Sequence, residues 1–176
     1  MRKIILSVVT LMTLVVAGCG PALSLRPLCT DEEVIFNPAL VGRWKCRSDD
    51  WIFRQMEDNL YNLTIIFSIN DSLILEGRLL KLGNFTFMDV TSRIPDVENL
   101  FAIPVHAFLR LSLQSDSLGI AYLDDSFLDE NSELIKHEVV DEHGIILTAS
   151  TKELQDFVLK YAEDEKAFDM VWYSRQ

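Results

Sequence analysis

Positive charge is in short supply in this chain: 16 Lys and Arg stand against 27 Asp and Glu, a formal net charge of −11 at pH 7. Binding nucleic acid requires clustered cations that displace counterions from phosphates, so the composition argues against that partner. Histidine is scarce too, with His106, His137 and His143 the three in the sequence. His137-Glu138 begins like a zinc-protease signature, but a second imidazole is needed one helical turn on, and His143 falls too late, beside Gly144. There is no Gly-x-Ser-x-Gly elbow and no phosphate-binding glycine loop. The acidic pairs Asp49-Asp50 and Asp124-Asp125 read as solvated turns rather than a general acid and base. The expectation is therefore a protein that is not an enzyme, with no catalytic residue, metal or cofactor. A run of about 20 apolar residues, as a membrane helix requires, is also lacking.

The apolar stretch from Ile4 to Val16 is too short for that role but has the length of an export signal, and Arg2-Lys3 supplies its basic start. Val16-Ala17-Gly18-Cys19 follows directly and resembles the lipobox of bacterial lipoproteins. The resemblance implies cleavage before Cys19, a diacylglyceryl group with two ester-linked chains on its thiol and often an amide-linked third such as palmitate. At about 0.8 kcal/mol per buried methylene, two or three chains hold a protein durably at a membrane. Residues 1–18 are then signal peptide, and the expected location is the cell envelope. Because Gly20 rather than Asp follows the anchor, similarity to enterobacterial lipoproteins places it on the periplasmic face of the outer membrane if the source is Gram-negative.

Cys29 and Cys46 remain. An even pair in an oxidising compartment suggests a disulfide, worth about 3 kcal/mol on the loop-entropy model, with two buried thiols as the alternative.

Residues 19–33 lack periodicity and contain Pro21 and Pro27, which suits a tether; residues 34–176 are of a length for one domain. Leu40 to Cys46 reads as a first strand. From Tyr61 to Asn70, Tyr61, Leu63, Ile65, Phe67 and Ile69 alternate with Asn62, Thr64 and Ser68, the pattern of a half-buried strand. Asn70-Asp71-Ser72 and Gly83-Asn84 mark turns around Leu73–Leu82 and into Phe85–Met88. Val105–Leu113 and Leu118–Tyr122 form a second meander, with Ile145–Leu147 a shorter strand. Ser150-Thr151-Lys152-Glu153 is a capping box, and Leu154, Phe157, Val158 and Tyr161 follow at helical spacing. Phe168–Tyr173 closes the chain as a strand. The expected fold is mainly β, an antiparallel up-and-down β-barrel or strongly curved sheet with one C-terminal helix before the last strand.

Gly42-Arg43-Trp44 resembles the opening motif of the lipocalin and calycin barrels, and the order of meander, helix and terminal strand is similar too. The resemblance implies Trp44 at the closed end of a barrel. Trp44, Tyr61, Leu63, Ile65 and Phe67 then become candidate lining for a small apolar ligand. The alternative is a filled barrel that meets a basic protein partner through its acidic exterior. The connection from Thr91 to Pro104, apolar in its second half, reads either as a lid or as a segment folded on the core.

Overall fold

Strands take up 47% of the described residues. The computed structural model describes residues 20–92, 103–140 and 144–176. The signal segment, Cys19, most of the Thr91–Pro104 connection and His143 lie outside the described residues. In chain order the elements are β1 (Leu23–Ser24), β2 (Gly42–Lys45), β3 (Asp50–Gln55), β4 (Tyr61–Ser68), β5 (Asp71–Leu82) and β6 (Phe85–Ser92). Then come β7 (His106–Leu113), β8 (Ser117–Tyr122), the short helix α1 (Asp125–Glu130), β9 (His137–Val139), β10 (Ile145–Leu147), α2 (Thr151–Lys160) and β11 (Val171–Arg175).

Strands β2 to β8 pair with their sequence neighbours, and β11 lies antiparallel between β8 and β2, with Trp172 opposite Gly119 and Arg175 opposite Trp44. The result is a closed eight-stranded antiparallel barrel. Closure removes the unpaired edges that an open sheet of this length would present. β1 lies beside the start of β7, Ser24 opposite His106, and extends the sheet outward through β10 to β9.

Alternating residues of these strands fill two layers. Trp44, Phe53, Tyr61, Leu63, Leu79, Met88, Leu109, Leu118 and Ile120 point inward and pack as one cluster. Leu80, Phe87, Phe108, Ala121 and Leu123 point outward and pack beneath α1, α2 and the segment Ala162–Phe168. Ser150 caps α2 by accepting from the Glu153 amide, and the Glu153 carboxylate takes the Ser150 amide in return. That backbone hydrogen bond, with the Ser150 hydroxyl and Lys136, holds the exposed Glu153 carboxyl down to about 2. Leu154 and Val158 of α2 are fully buried, each contributing about 1.5–3 kcal/mol by leaving water.

Residues 20–33 differ from the expected free tether. Ala22, Ser24, Leu28 and Cys29 are buried, and the Ala22 amide donates to the Leu123 carbonyl at 2.7 Å. The apolar members of this stretch complete the outer layer, which outweighs the flexibility its prolines and small residues suggest.

Ile65 faces inward and is buried, whereas Thr64 sits on the outer face. Ile65→Lys should therefore lower unfolding free energy by several kcal/mol, because it leaves an unpaired charge in an apolar interior. Thr64→Lys should unfold within about 0.5 kcal/mol of the parent in urea. Equal losses at the two positions would invert the assignment of faces.

Candidate functional site

The barrel interior was the expected site, and its residues leave little room there. Trp44, Tyr61 and Leu63 are fully buried, and Ile65 nearly so. The segment Asn37–Val41 packs at the end where β2 begins. Trp44 Nε1 donates to the Leu40 carbonyl at 2.9 Å, and the Tyr61 hydroxyl accepts from the Asn37 amide at 2.7 Å. The Arg175 guanidinium lies 4.1 Å from the Trp44 ring centre and donates to the carbonyls of Val41 and Ala39. Gly42 is needed beside it: its φ of +141° is strained for any L side chain, and an added Cβ would stand 3.0 Å from Arg175 Nη1. Between Leu40, Leu79, Leu111 and Leu118 a cavity of about 30 Å³ remains. That is room for a single water, whereas ligand sites run to roughly 300–1,000 Å³.

Phe67 is not part of that lining. A register shift between Ile66 and Ser68 bulges β4, so strict alternation ends before Phe67, which is 50% exposed. Ile69 follows it into solvent at the hairpin tip, 97% exposed.

At the end of the barrel where β2 finishes, one carboxylate gathers several donors. Asp49 accepts from Trp51 Nε1 at 2.6 Å, Ser48 Oγ at 2.7 Å, Cys46 Sγ at 2.9 Å and the Tyr173 hydroxyl at 3.2 Å. Burial works to raise the Asp49 carboxyl, but these hydrogen bonds outweigh it and hold it below the ordinary range. Tyr173 moves the opposite way, raised by burial and then by the Asp49 charge. Asp50, which is buried, is paired with Arg43 and Lys45. Asp124 caps α1 by accepting from the Phe127 amide, and Asp125 accepts from the Gly20 amide at 3.2 Å. Both acidic pairs are thus structural, not the solvated turns expected.

The expected Cys29–Cys46 disulfide is not formed: both are free thiols. Cys29 packs in the outer layer, whereas Cys46 belongs to the inner cluster's margin and donates to Asp49. Burial, with the Asp89 charge next, pushes the Cys29 thiol up to about 12, so it stays protonated and unreactive at neutral pH.

The buried Asp89 on β6 accepts from the Leu28 amide at 2.7 Å, and its other oxygen lies 2.7 Å from His106 Nδ1. A carboxylate-oriented imidazole is half of a nucleophilic arrangement. Neither candidate beside it among the described residues completes that arrangement. Cys29 is protonated, and Ser24, opposite His106, is fully buried and donates to the Arg26 carbonyl. The pair instead clamps the N-terminal segment to the sheet. His137 is placed on β9, with Nδ1 3.0 Å from the Ile135 carbonyl. Among the described residues, no three His, Cys, Asp or Glu side chains are grouped to hold a metal ion.

Open surface grooves flank the outer layer. One of about 630 Å³ runs between Ser132–His137 and the Glu153, Asp156, Phe157 and Lys160 side of α2. A second, of about 470 Å³, lies between Arg110 on β7 and Glu163, Glu165, Asp169 and the half-exposed Trp172. The sequence signal for this region is charge: between Asp124 and Asp169 stand fourteen of the 27 acidic residues and four lysines.

Iodoacetamide should label Cys46 in the native protein and Cys29 only after unfolding, as mass spectrometry would report; equal native labelling would contradict the burial. Asp49→Asn should destabilise the fold at neutral pH. A lowered carboxyl stabilises fully above its unfolded value of about 4 and loses that contribution as pH falls through the folded one. The gap to the parent should therefore close in acid denaturation and persist at pH 7.

No protein-family model matches the chain, nor does any curated protein or solved structure.

Proposed function

We propose that this chain is a lipid-anchored protein of the cell envelope that acts by binding a basic protein partner through its acidic outer side, with no chemistry of its own. The filled barrel is the observation that carries this reading. A barrel built to hold an apolar ligand keeps a connected cavity, and here the inner cluster leaves about 30 Å³. What the fold offers a partner is on the outside: the two open grooves and the acidic residues around α1 and α2, with Asp129, Glu133, Asp156, Glu163, Glu165 and Asp169 exposed. Such a surface steers a cationic partner and makes association sensitive to salt. The anchor rests on the resemblance of Val16-Ala17-Gly18-Cys19 to a lipobox, and the periplasmic face of the outer membrane on Gly20 if the source is Gram-negative.

Native mass spectrometry of the protein taken from its own envelope tests this directly. The expected species is polypeptide plus acyl chains, in a complex with a basic protein that dissociates as salt is raised. A stoichiometric small apolar ligand retained on the isolated chain would overturn the filled-barrel reading. Replacing Cys19 by Ser should leave an unlipidated precursor that no longer partitions into detergent.

A further inference from the structure

The two ends of the barrel differ in character. β2, β4, β6 and β8 finish at one end, where β3, β5, β7 and β11 begin. At the opposite end the connections expose Glu57, Asp58, Asn59, Asn84, Ser115 and Asp116, all polar. At the first end the exposed side chains include Phe67, Ile69, Leu73 and Ile74 on the β4–β5 hairpin and Ile103 just before β7. Ile69 and Ile103 are 97% and 70% exposed. Among the described residues, β6 pairs with β5 as far as Ser92 opposite Leu75, and Asp71–Ile74 pair with β4 alone.

The N-terminal segment reaches the same end. Asp125, three residues beyond the end of β8, accepts from the Gly20 amide and donates its own amide to the Gly20 carbonyl, each at 3.2 Å. Pro21 bridges Asp124, and the Ala22 amide bonds Leu123. The backbone is therefore fixed from Gly20 onward. A residue spans about 3.8 Å, so acyl chains on Cys19 would be joined to the domain with no linker between.

We propose that the barrel sits end-on against the lipid bilayer, with the tip of the β4–β5 hairpin, Phe67 and Ile69 foremost, dipping into the interfacial layer. This rests on the anchored reading above. The anchor fixes which end meets lipid, and that end carries the apolar hairpin. Arg47, exposed at the neighbouring β2–β3 turn, faces the headgroup phosphates, while Lys45 beside it is paired with Asp50. Asn70, Asp71 and Ser72 at the turn lie at headgroup level. The acidic face around α2 stays to the side, where it remains open to a partner. An acidic protein gains little from anionic lipid, so the hairpin adds orientation rather than independent affinity.

The test uses the full lipidated protein in vesicles of phosphatidylethanolamine and phosphatidylglycerol whose chains are brominated, with Ile69→Trp compared with Asn84→Trp at the opposite end. Both positions are exposed, so neither substitution disturbs the core, and the native Trp44, Trp51 and Trp172 give a common background to subtract. Bromine should quench the emission added at position 69 several-fold more than that added at position 84, with a blue shift at position 69 alone. Vesicle flotation with equal quenching at the two positions would overturn the end-on seat and leave the anchor standing. Failure of the parent protein to float would overturn the anchor and the seat together.

Discussion

Closure of the barrel depends on the last strand. β11 joins β8 to β2, and without it both would be open edges with unpaired amides and carbonyls. The seam is held from inside by Arg175, whose guanidinium covers the Trp44 ring and bonds the carbonyls of Ala39 and Val41. Its position requires the backbone of Gly42 to pass without a side chain. β11 thereby fixes the place where the barrel begins, at the Trp44 side of the inner cluster.

With the barrel closed and filled, the second packing layer decides what the molecule presents. The arc from β5 to β8 is apolar on both faces: Leu79 and Met88 point in where Leu80 and Phe87 point out. α1, α2 and the N-terminal segment cover the outward face, so acidic helix surface replaces the polar strand faces an up-and-down barrel usually shows to water. Interior binding and exterior recognition compete for the same side-chain positions in so small a domain. This chain has spent its interior on packing.

The alternation of Tyr61, Leu63 and Ile65, the Gly83-Asn84 turn and the Ser150–Glu153 capping box were legible because each is a local rule with one geometric outcome. The bulge between Ile66 and Ser68 was not, since nothing in Phe67 or Ile69 says that their face has run past the rim. β3 was missed because Trp51-Ile52-Phe53 is apolar without alternation. The outer layer left a signal in the doublets Leu79-Leu80, Phe87-Met88 and Phe108-Leu109, where a one-sided strand would place a polar residue. The N-terminal segment resembles a linker in sequence because its partners, Asp89, Leu123 and Asp125, lie far along the chain. The same distance defeats cysteine counting: an even number says nothing about which packing layer each thiol enters.

The clamp on the N-terminal segment has a mechanical consequence. Any pull applied to the backbone at Gly20 must pass through the bonds to Asp125 and Leu123, then through β1 between β7 and β10, then through the Leu28 amide on Asp89. These act one after another along the segment, whereas the eight barrel strands are tied side by side into a ring. Under load the segment yields first, lengthening the connection by up to about 3.5 Å per residue released while the barrel stays whole. The barrel is thus insulated by a segment that gives way in series with it.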